Sequence, residues 1–208
     1  MPGQTDPTAK FLELLKPCYS DALKYCKALC AKRSLDDAED VLQLSLIKGM
    51  ENIESLSEQS KFRSWFFKII TREFYSYIRK DFWRKFLPID SGDLAADIPE
   101  VFDRGKQSDD KQLLEKALSE LSVKERSALL LFELGGFSID EIKEIQNEKS
   151  ASAVKSRLSR ARSKLKQYVV SEESGTLKNN KINSEHKGDL NHETIKLISE
   201  IRSEIKSN

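Results

Sequence analysis

Residues 138–165, SIDEIKEIQNEKSASAVKSRLSRARSKL, contain two helical patterns separated by a short polar turn. Ser138 can cap a first helix on which isoleucines recur at positions 139, 142 and 145. After the turn, Ser150 or Ser152 can cap a second helix that has one narrow apolar stripe. The stripe consists of Val154, Leu158, Ala161 and Leu165. This layout predicts a helix-turn-helix.

The outward face of the second helix is strongly basic, and no acidic residue occurs between Lys149 and Lys166. Like charges four residues apart destabilise an isolated helix, and DNA phosphates can offset that cost. We therefore expect this helix to enter the major groove with its early side chains toward base edges. A solvated surface is the alternative interpretation, although such surfaces usually mix both signs of charge. The outward residues are Lys155, Ser156, Arg157, Ser159, Arg160, Arg162, Lys164 and Lys166.

Helical patterning extends around this motif over residues 112–170, which we predict to be one small domain. Before it, residues 87–111 lose periodicity and contain the helix breakers Pro88, Gly92, Pro99 and Gly105. Acidic side chains dominate the charge of that stretch, which predicts a flexible acidic linker. They are Asp90, Asp93, Asp97, Glu100, Asp103, Asp109 and Asp110.

We predict that residues 8–86 form a first helical domain, in which acidic and basic residues occupy separate segments. An acidic helix follows Ser34, whereas basic and aromatic side chains interleave from Lys61 to Phe86. Acidic groups suit a protein surface, while basic groups hold phosphates and aromatic rings can stack on unpaired bases. The predicted fold class is all-α, with an N-terminal helical bundle and a C-terminal helix-turn-helix joined by the linker.

Length and composition agree with two thin helical domains, and they argue against a disulfide-stabilised protein and against a membrane-spanning one. The chain has 208 residues, 33% of them charged, with a net charge of only +1 because acidic and basic blocks cancel. Cys18, Cys26 and Cys30 do not form a disulfide framework, and no apolar run reaches the roughly 18 residues of a membrane span. Residues 171–208 are a polar tail, with one amphipathic pattern at Ile195, Ile198, Ile201 and Ile205.

Two stretches resemble a known family. LSELSVKERSALLLFELGGFSIDEIKEI (118–145) with AVKSRLSRARSKL (153–165) is similar to the promoter-reading C-terminal domain of extracytoplasmic-function (ECF) sigma factors of bacteria. DDAEDVLQ (36–43) with FRSWFFKIITREFYSYIRK (62–80) resembles the N-terminal domain of the same sigma factors. The resemblance implies a factor that binds core RNA polymerase, recognises promoter DNA and initiates transcription of a limited gene set.

For the C-terminal domain, the resemblance implies contacts with the upstream (minus-thirty-five) promoter element. Lys155, Ser156, Ser159 and Arg160 would read this element, and Arg157 and Arg162 would lie nearer phosphates. The chemistry is compatible, because a basic side chain donates to guanine acceptors and a serine can donate or accept.

For the N-terminal domain, the resemblance implies that Asp37, Glu39, Asp40 and Gln43 dock on the polymerase clamp. The following helix would handle the downstream (minus-ten) element, with a loop over 55–61 that holds a base flipped from the non-template strand. Core burial is the competing interpretation of the aromatic residues, and we favour it for Phe62, Trp65, Phe66 and Ile69. The candidates for DNA strand capture are Ser57, Lys61, Arg72, Tyr75, Arg79, Lys80, Trp83 and Arg84.

Three departures from the family pattern affect these expectations. Arg72 and Ser76 stand where the family usually has Asn and Asp, which changes the expected reading of the downstream element. Lys143 replaces a small alanine, and the turn over 146–150 is one residue longer, so the recognition helix is expected at an altered angle. The linker is either a tether or, by resemblance, a strand that threads toward the polymerase cleft.

We expect no enzymatic activity, no cofactor and no metal site, because the sequence shows no glycine-rich phosphate loop, no carboxylate pair in an apolar setting and no four-ligand set. The implied partners are core RNA polymerase, promoter DNA and an anti-sigma factor, in the cytoplasm and without membrane insertion. The alternative is a sigma-like decoy that binds an anti-sigma factor without promoter activity. A helix-turn-helix repressor would leave the first domain without a purpose.

Overall fold

The structure is a computed structural model that describes residues 6–31, 33–86 and 109–176. Side chains are described up to residue 82 of the first domain and over residues 112–172 of the second. Every regular element in these ranges is a helix, which confirms the predicted all-α fold class. None of the helices in the described part is long and apolar enough to cross a membrane.

The first domain contains α1 (Pro7–Leu15), α2 (Tyr19–Leu29), α3 (Leu35–Asn52) and α4 (Phe62–Phe86), with short 3₁₀ turns around Pro17 and before α4. Ser34 caps α3 in a reciprocal capping box with Asp37. Phe11 fills the centre, with its ring centroid 5.5 Å from that of Phe62 and 5.7 Å from that of Phe66. Gly49 permits this packing, because a Cβ there would lie 2.5 Å from the Phe11 ring.

The second domain contains α5 (Asp109–Ser119), α6 (Val123–Glu133), α7 (Ile139–Gln146) and α8 (Ala151–Thr176). Ser138 caps α7 as predicted, and Asn147 ends it in the left-handed conformation at φ 52°. The predicted stripe of α8 forms the core of this domain, since each of its four side chains is at most 3% exposed. Helix α5 begins inside the stretch 87–111 and α8 continues past residue 170.

The two domains pack directly against each other, which the sequence did not predict. Helix α2 contacts α6, and α4 contacts α7. Residues 87–108 and the tail from residue 177, including the pattern at 195–205, lie outside the described residues.

Candidate nucleic-acid interface

The first half of α8 presents a compact exposed face. Lys155, Ser156, Ser159 and Arg160 are all exposed, and their spacing places them together on one side of the helix. The Oγ of Ser150 accepts a 3.2 Å hydrogen bond from the backbone N of Ala153 and caps the helix start. The exposed face therefore lies on the first three turns of a capped helix, where base-reading side chains of such motifs stand.

Arg157 lies on the same basic run, but its side chain points into the domain and is only 8% exposed. Its Nη1 donates to the Gln146 Oε1 at 2.5 Å, and its Nη2 lies 2.8 Å from the Glu148 carboxylate. Burial opposes ionisation of Glu148, yet Lys124 and Arg157 hold the pKa of that carboxyl below its ordinary value. Arg157 thus joins α8 to the end of α7, and the sequence prediction that it lies on the outward face was wrong.

Two acidic residues of α6 face the basic side of α8. The Glu125 carboxylate lies 2.8 Å from Lys164 Nζ and 3.7 Å from Arg160 Nε. Burial would raise the pKa of Glu125, but hydrogen bonds from Lys164 and Ser122 outweigh it and lower the pKa to about 2.

Glu133, the second acid, accepts two hydrogen bonds from Arg162, whose guanidinium also lies 5.0 Å from the Phe132 ring centroid. The side chain of Arg162 is nevertheless 47% exposed, and that of Arg160 is 60% exposed. Both guanidinium groups therefore remain open to solvent on the outer side of α8.

The acidic face of α3 is exposed at Glu39, Asp40 and Gln43. Asp37 is half-buried instead, because its carboxylate accepts hydrogen bonds from the Ser34 backbone N and from the Tyr77 hydroxyl. Burial and the neighbouring Asp37 raise the pKa of Tyr77 to about 12, so this tyrosine stays protonated.

Apolar side chains border this acidic face, and the sequence interpretation did not include them. Leu44 is 42% exposed and Ile47 is 46% exposed, and both line a shallow pocket with Asp40, Gln43 and Tyr77. The sequence could have indicated that Leu44 and Ile47 are exposed, since both are apolar residues that do not lie on the buried stripe of α3. A mixed acidic and apolar surface suits a protein partner better than DNA.

Helix α4 divides into a buried face and an exposed basic face. Phe62 and Phe66 are buried and Trp65 and Ile69 are partly buried, in agreement with the core interpretation of these residues. Arg72, Arg79 and Lys80 are exposed. These cations lie on the outside of the first domain.

The five other candidates for strand capture differ in where they lie. Tyr75 is partly buried, and its hydroxyl accepts a 3.3 Å hydrogen bond from Gln146 of the second domain. The side chains of Trp83 and Arg84 lie outside the described residues. In the loop before α4, Ser57 and Lys61 are exposed, and Lys61 pairs with Glu58 at 2.8 Å.

Comparison with known proteins agrees with this arrangement. Residues 14–84 match the family model of sigma-70 region 2, and residues 111–165 match that of sigma-70 region 4. The chain is 30% identical over 151 residues to the RNA polymerase sigma factor SigV of Bacillus subtilis (strain 168), covering 71% of this chain and 86% of that protein. It is 31% identical over 159 residues to the ECF RNA polymerase sigma factor SigM of the same organism, covering 74% and 91%.

The fold is also similar to that of a solved sigma factor. RpoE of Bartonella quintana, solved in complex with the anti-sigma factor NepR, superposes with a TM-score of 0.61 at 28% identity, over 76% of this chain and 96% of that one. The two matched regions follow each other in the order that the motifs predicted. With both regions matched and relatives covered nearly end to end, the chain belongs to the ECF class of bacterial RNA polymerase sigma factors.

Proposed function

We propose that this sigma factor directs core RNA polymerase to promoters by reading the upstream element with the exposed face of α8. The observation that carries this proposal is the joint exposure of Lys155, Ser156, Ser159 and Arg160 on the capped first half of that helix. These side chains offer donors to guanine acceptors and small hydroxyls that allow close approach. Arg162 contributes a phosphate contact, and Arg157 serves as the positioning residue that holds the helix at its angle.

In this proposal the first domain contacts the polymerase and the downstream promoter element. The surface for the polymerase consists of the exposed residues Glu39, Asp40 and Gln43. The half-buried Asp37 lies behind them, and Leu44 and Ile47 lie beside them. The exposed cations Arg72, Arg79 and Lys80 hold the downstream element. On sequence grounds, we also assign capture of the separated DNA strand to Tyr75, Trp83, Arg84, Ser57 and Lys61. This division follows the charges, because acidic groups repel DNA and basic groups attract it.

The partners of two related structures suggest a regulator. RpoE was solved with the anti-sigma factor NepR, and CnrH was solved with the cytosolic domain of CnrY. By analogy, an anti-sigma factor holds this chain inactive in the cytoplasm until a signal releases it. The protein catalyses no reaction of its own and needs no cofactor, since the polymerase makes the RNA.

The proposal is tested by transcription from genomic fragments with core polymerase, with and without the protein. We expect new start sites with the wild type, and their loss when the four exposed residues of α8 are changed to alanine. A matched control replaces Lys16, Ser20, Lys27 and Lys116, which are also exposed but lie outside α8, with alanine. Absence of new start sites at every wild-type concentration would leave only the decoy interpretation.

A further inference from the structure

Arg162 of α8 is held by two residues in the last turn of α6. Its Nε and Nη2 donate hydrogen bonds of 3.1 and 2.7 Å to Glu133 Oε1, and its guanidinium lies over the Phe132 ring, 5.0 Å from the centroid. No acceptor in the described part of the chain takes a hydrogen bond from Nη1. The guanidinium is therefore held along one edge and against one ring, and its Nη1 is left for another partner.

The end of α6 that carries Glu133 and Phe132 is itself fixed. Gly136 follows in the left-handed conformation at φ 63°, which glycine adopts without strain. Three backbone N–H groups donate to carbonyls of the last helical turns, from Gly135, Gly136 and Phe137 to Leu130, Phe132 and Leu131. These bonds satisfy carbonyls that a helix end would otherwise leave unpaired. Both contacts of Arg162 therefore come from a firm surface.

Glu133 does not stabilise the helix on which it stands. It is the last residue of α6, where the negative end of the helix dipole disfavours a carboxylate. Glu125 differs, because its carboxylate completes the capping box at the start of the same helix. Across the described residues, the one polar partner of the Glu133 side chain is Arg162. The position of Glu133 therefore serves the contact with α8.

Arg162 continues the row of α8 that we assign to DNA. Lys155, Ser159 and Arg162 follow one another at i, i+4 and i+7, so they stand on one side of the helix. When a recognition helix enters the groove with its N-terminus first, its early residues reach base edges and its later turns lie nearer the backbone. The planar guanidinium of Arg162 suits the oxygens of a phosphate there.

The Glu133 carboxylate changes what this arginine contributes to binding. The pair that it forms with Arg162 is neutral as a whole, so it adds little to the long-range attraction of any duplex. At short range, the held guanidinium has already lost the rotamer freedom that an unsupported arginine would lose on binding. The contact is therefore strong where a phosphate stands opposite Nη1, and weak elsewhere.

We propose that Glu133, together with Phe132, is a positioning residue that determines specificity. It directs Arg162 to one phosphate beside the upstream element, so that the contact forms when α8 lies on DNA in the correct register. The inference rests on the proposed assignment of α8 to that element. It goes beyond the assignment of Arg162 to a phosphate, because a mobile cation would strengthen binding to every DNA sequence alike.

The test measures holoenzyme binding to a promoter found in the transcription experiment, and to the same fragment with its upstream element scrambled. We expect Glu133→Ala to weaken promoter binding about three- to tenfold, while binding to the scrambled fragment is unchanged or tighter. Charge alone predicts the opposite sign, because loss of an acid beside DNA should tighten promoter binding. Glu13→Ala on α1 is the matched control, since it removes an exposed acid from the first domain and should change neither affinity.

A double-mutant cycle connects this effect to Arg162. In an Arg162→Ala background, Glu133→Ala should change promoter affinity by less than about twofold. Arg162→Lys keeps the charge without the planar fork, and it should lose almost as much affinity as Arg162→Ala. A purely structural role of Glu133 would lower both affinities together, whereas a positioning role lowers their ratio.

Two results would overturn the proposal: promoter binding in Glu133→Ala that is unchanged or tighter, or the same loss with and without Arg162. A wild-type holoenzyme that binds both fragments equally would contradict the assignment of α8 itself, and this inference with it.

Discussion

Arg157 belongs by sequence to the basic face of α8, yet its guanidinium lies inside the second domain against Gln146 and Glu148. A count of charges cannot distinguish such a residue from its exposed neighbours. The distinction depends on the side of the helix, since Arg157 follows Val154 by three positions and therefore stands close to the buried stripe.

A pair of substitutions separates these two roles. Arg157→Ala removes the buried guanidinium that pairs with Gln146 and Glu148, and we expect a loss of about 2 to 4 kcal/mol in the free energy of unfolding. Lys155→Ala should change that free energy by less than about 0.5 kcal/mol and weaken promoter binding instead. Urea unfolding and filter binding measure the two quantities. Unchanged stability in Arg157→Ala would contradict the positioning role.

Glu125 makes a second prediction at this scale. Its pKa of about 2 is below the ordinary 4.5, so its stabilising contribution is complete above pH 4.5 and is lost as the pH falls toward 2. Glu125→Gln should lower the free energy of unfolding by about 1 to 3 kcal/mol at pH 7, and by about half as much near pH 3.

Glu144→Gln is the control for this measurement, because Glu144 is 70% exposed and its pair with Lys143 contributes little. Urea unfolding at both pH values measures the two variants against the wild type. A pH-independent loss in Glu125→Gln would show that the carboxylate charge has no part in it.

Among the helices, the helix-turn-helix was predictable because its signals are local. Ser138 as a cap, the stripe on α8 and the polar turn all lie within a few residues of what they determine. The row of α4 at Arg63, Phe67, Thr71 and Tyr75 was not predictable. Its partners on α2, α6 and α7 are distant in sequence, and side chains four residues apart give the same pattern in any helical core.

Helix α3 provides a test at the scale of the element. Replacing Leu44 and Ile47 by serine should reduce affinity for core polymerase at least tenfold while the melting temperature stays within a few degrees, because both side chains are largely exposed. Leu12→Ser on α1 is the matched control, since Leu12 is 48% exposed and lies outside the proposed surface. Polymerase binding that falls equally in both proteins would contradict the assignment of α3.

For the whole molecule, the sorted charges explain how a chain with a net charge of +1 can hold both the acidic surface that we propose for the polymerase and the basic surfaces that we propose for DNA. These surfaces belong to one body in the structure, because the two domains pack directly against each other.

The most direct test of this account is a hydroxyl-radical footprint of the polymerase holoenzyme on a promoter, with the wild type and with a Lys155→Ala, Arg160→Ala double variant. We predict two protected regions about 25 base pairs apart with the wild type, and loss of the upstream region alone in the variant. An upstream region that persists in the variant would contradict the claim that α8 reads it.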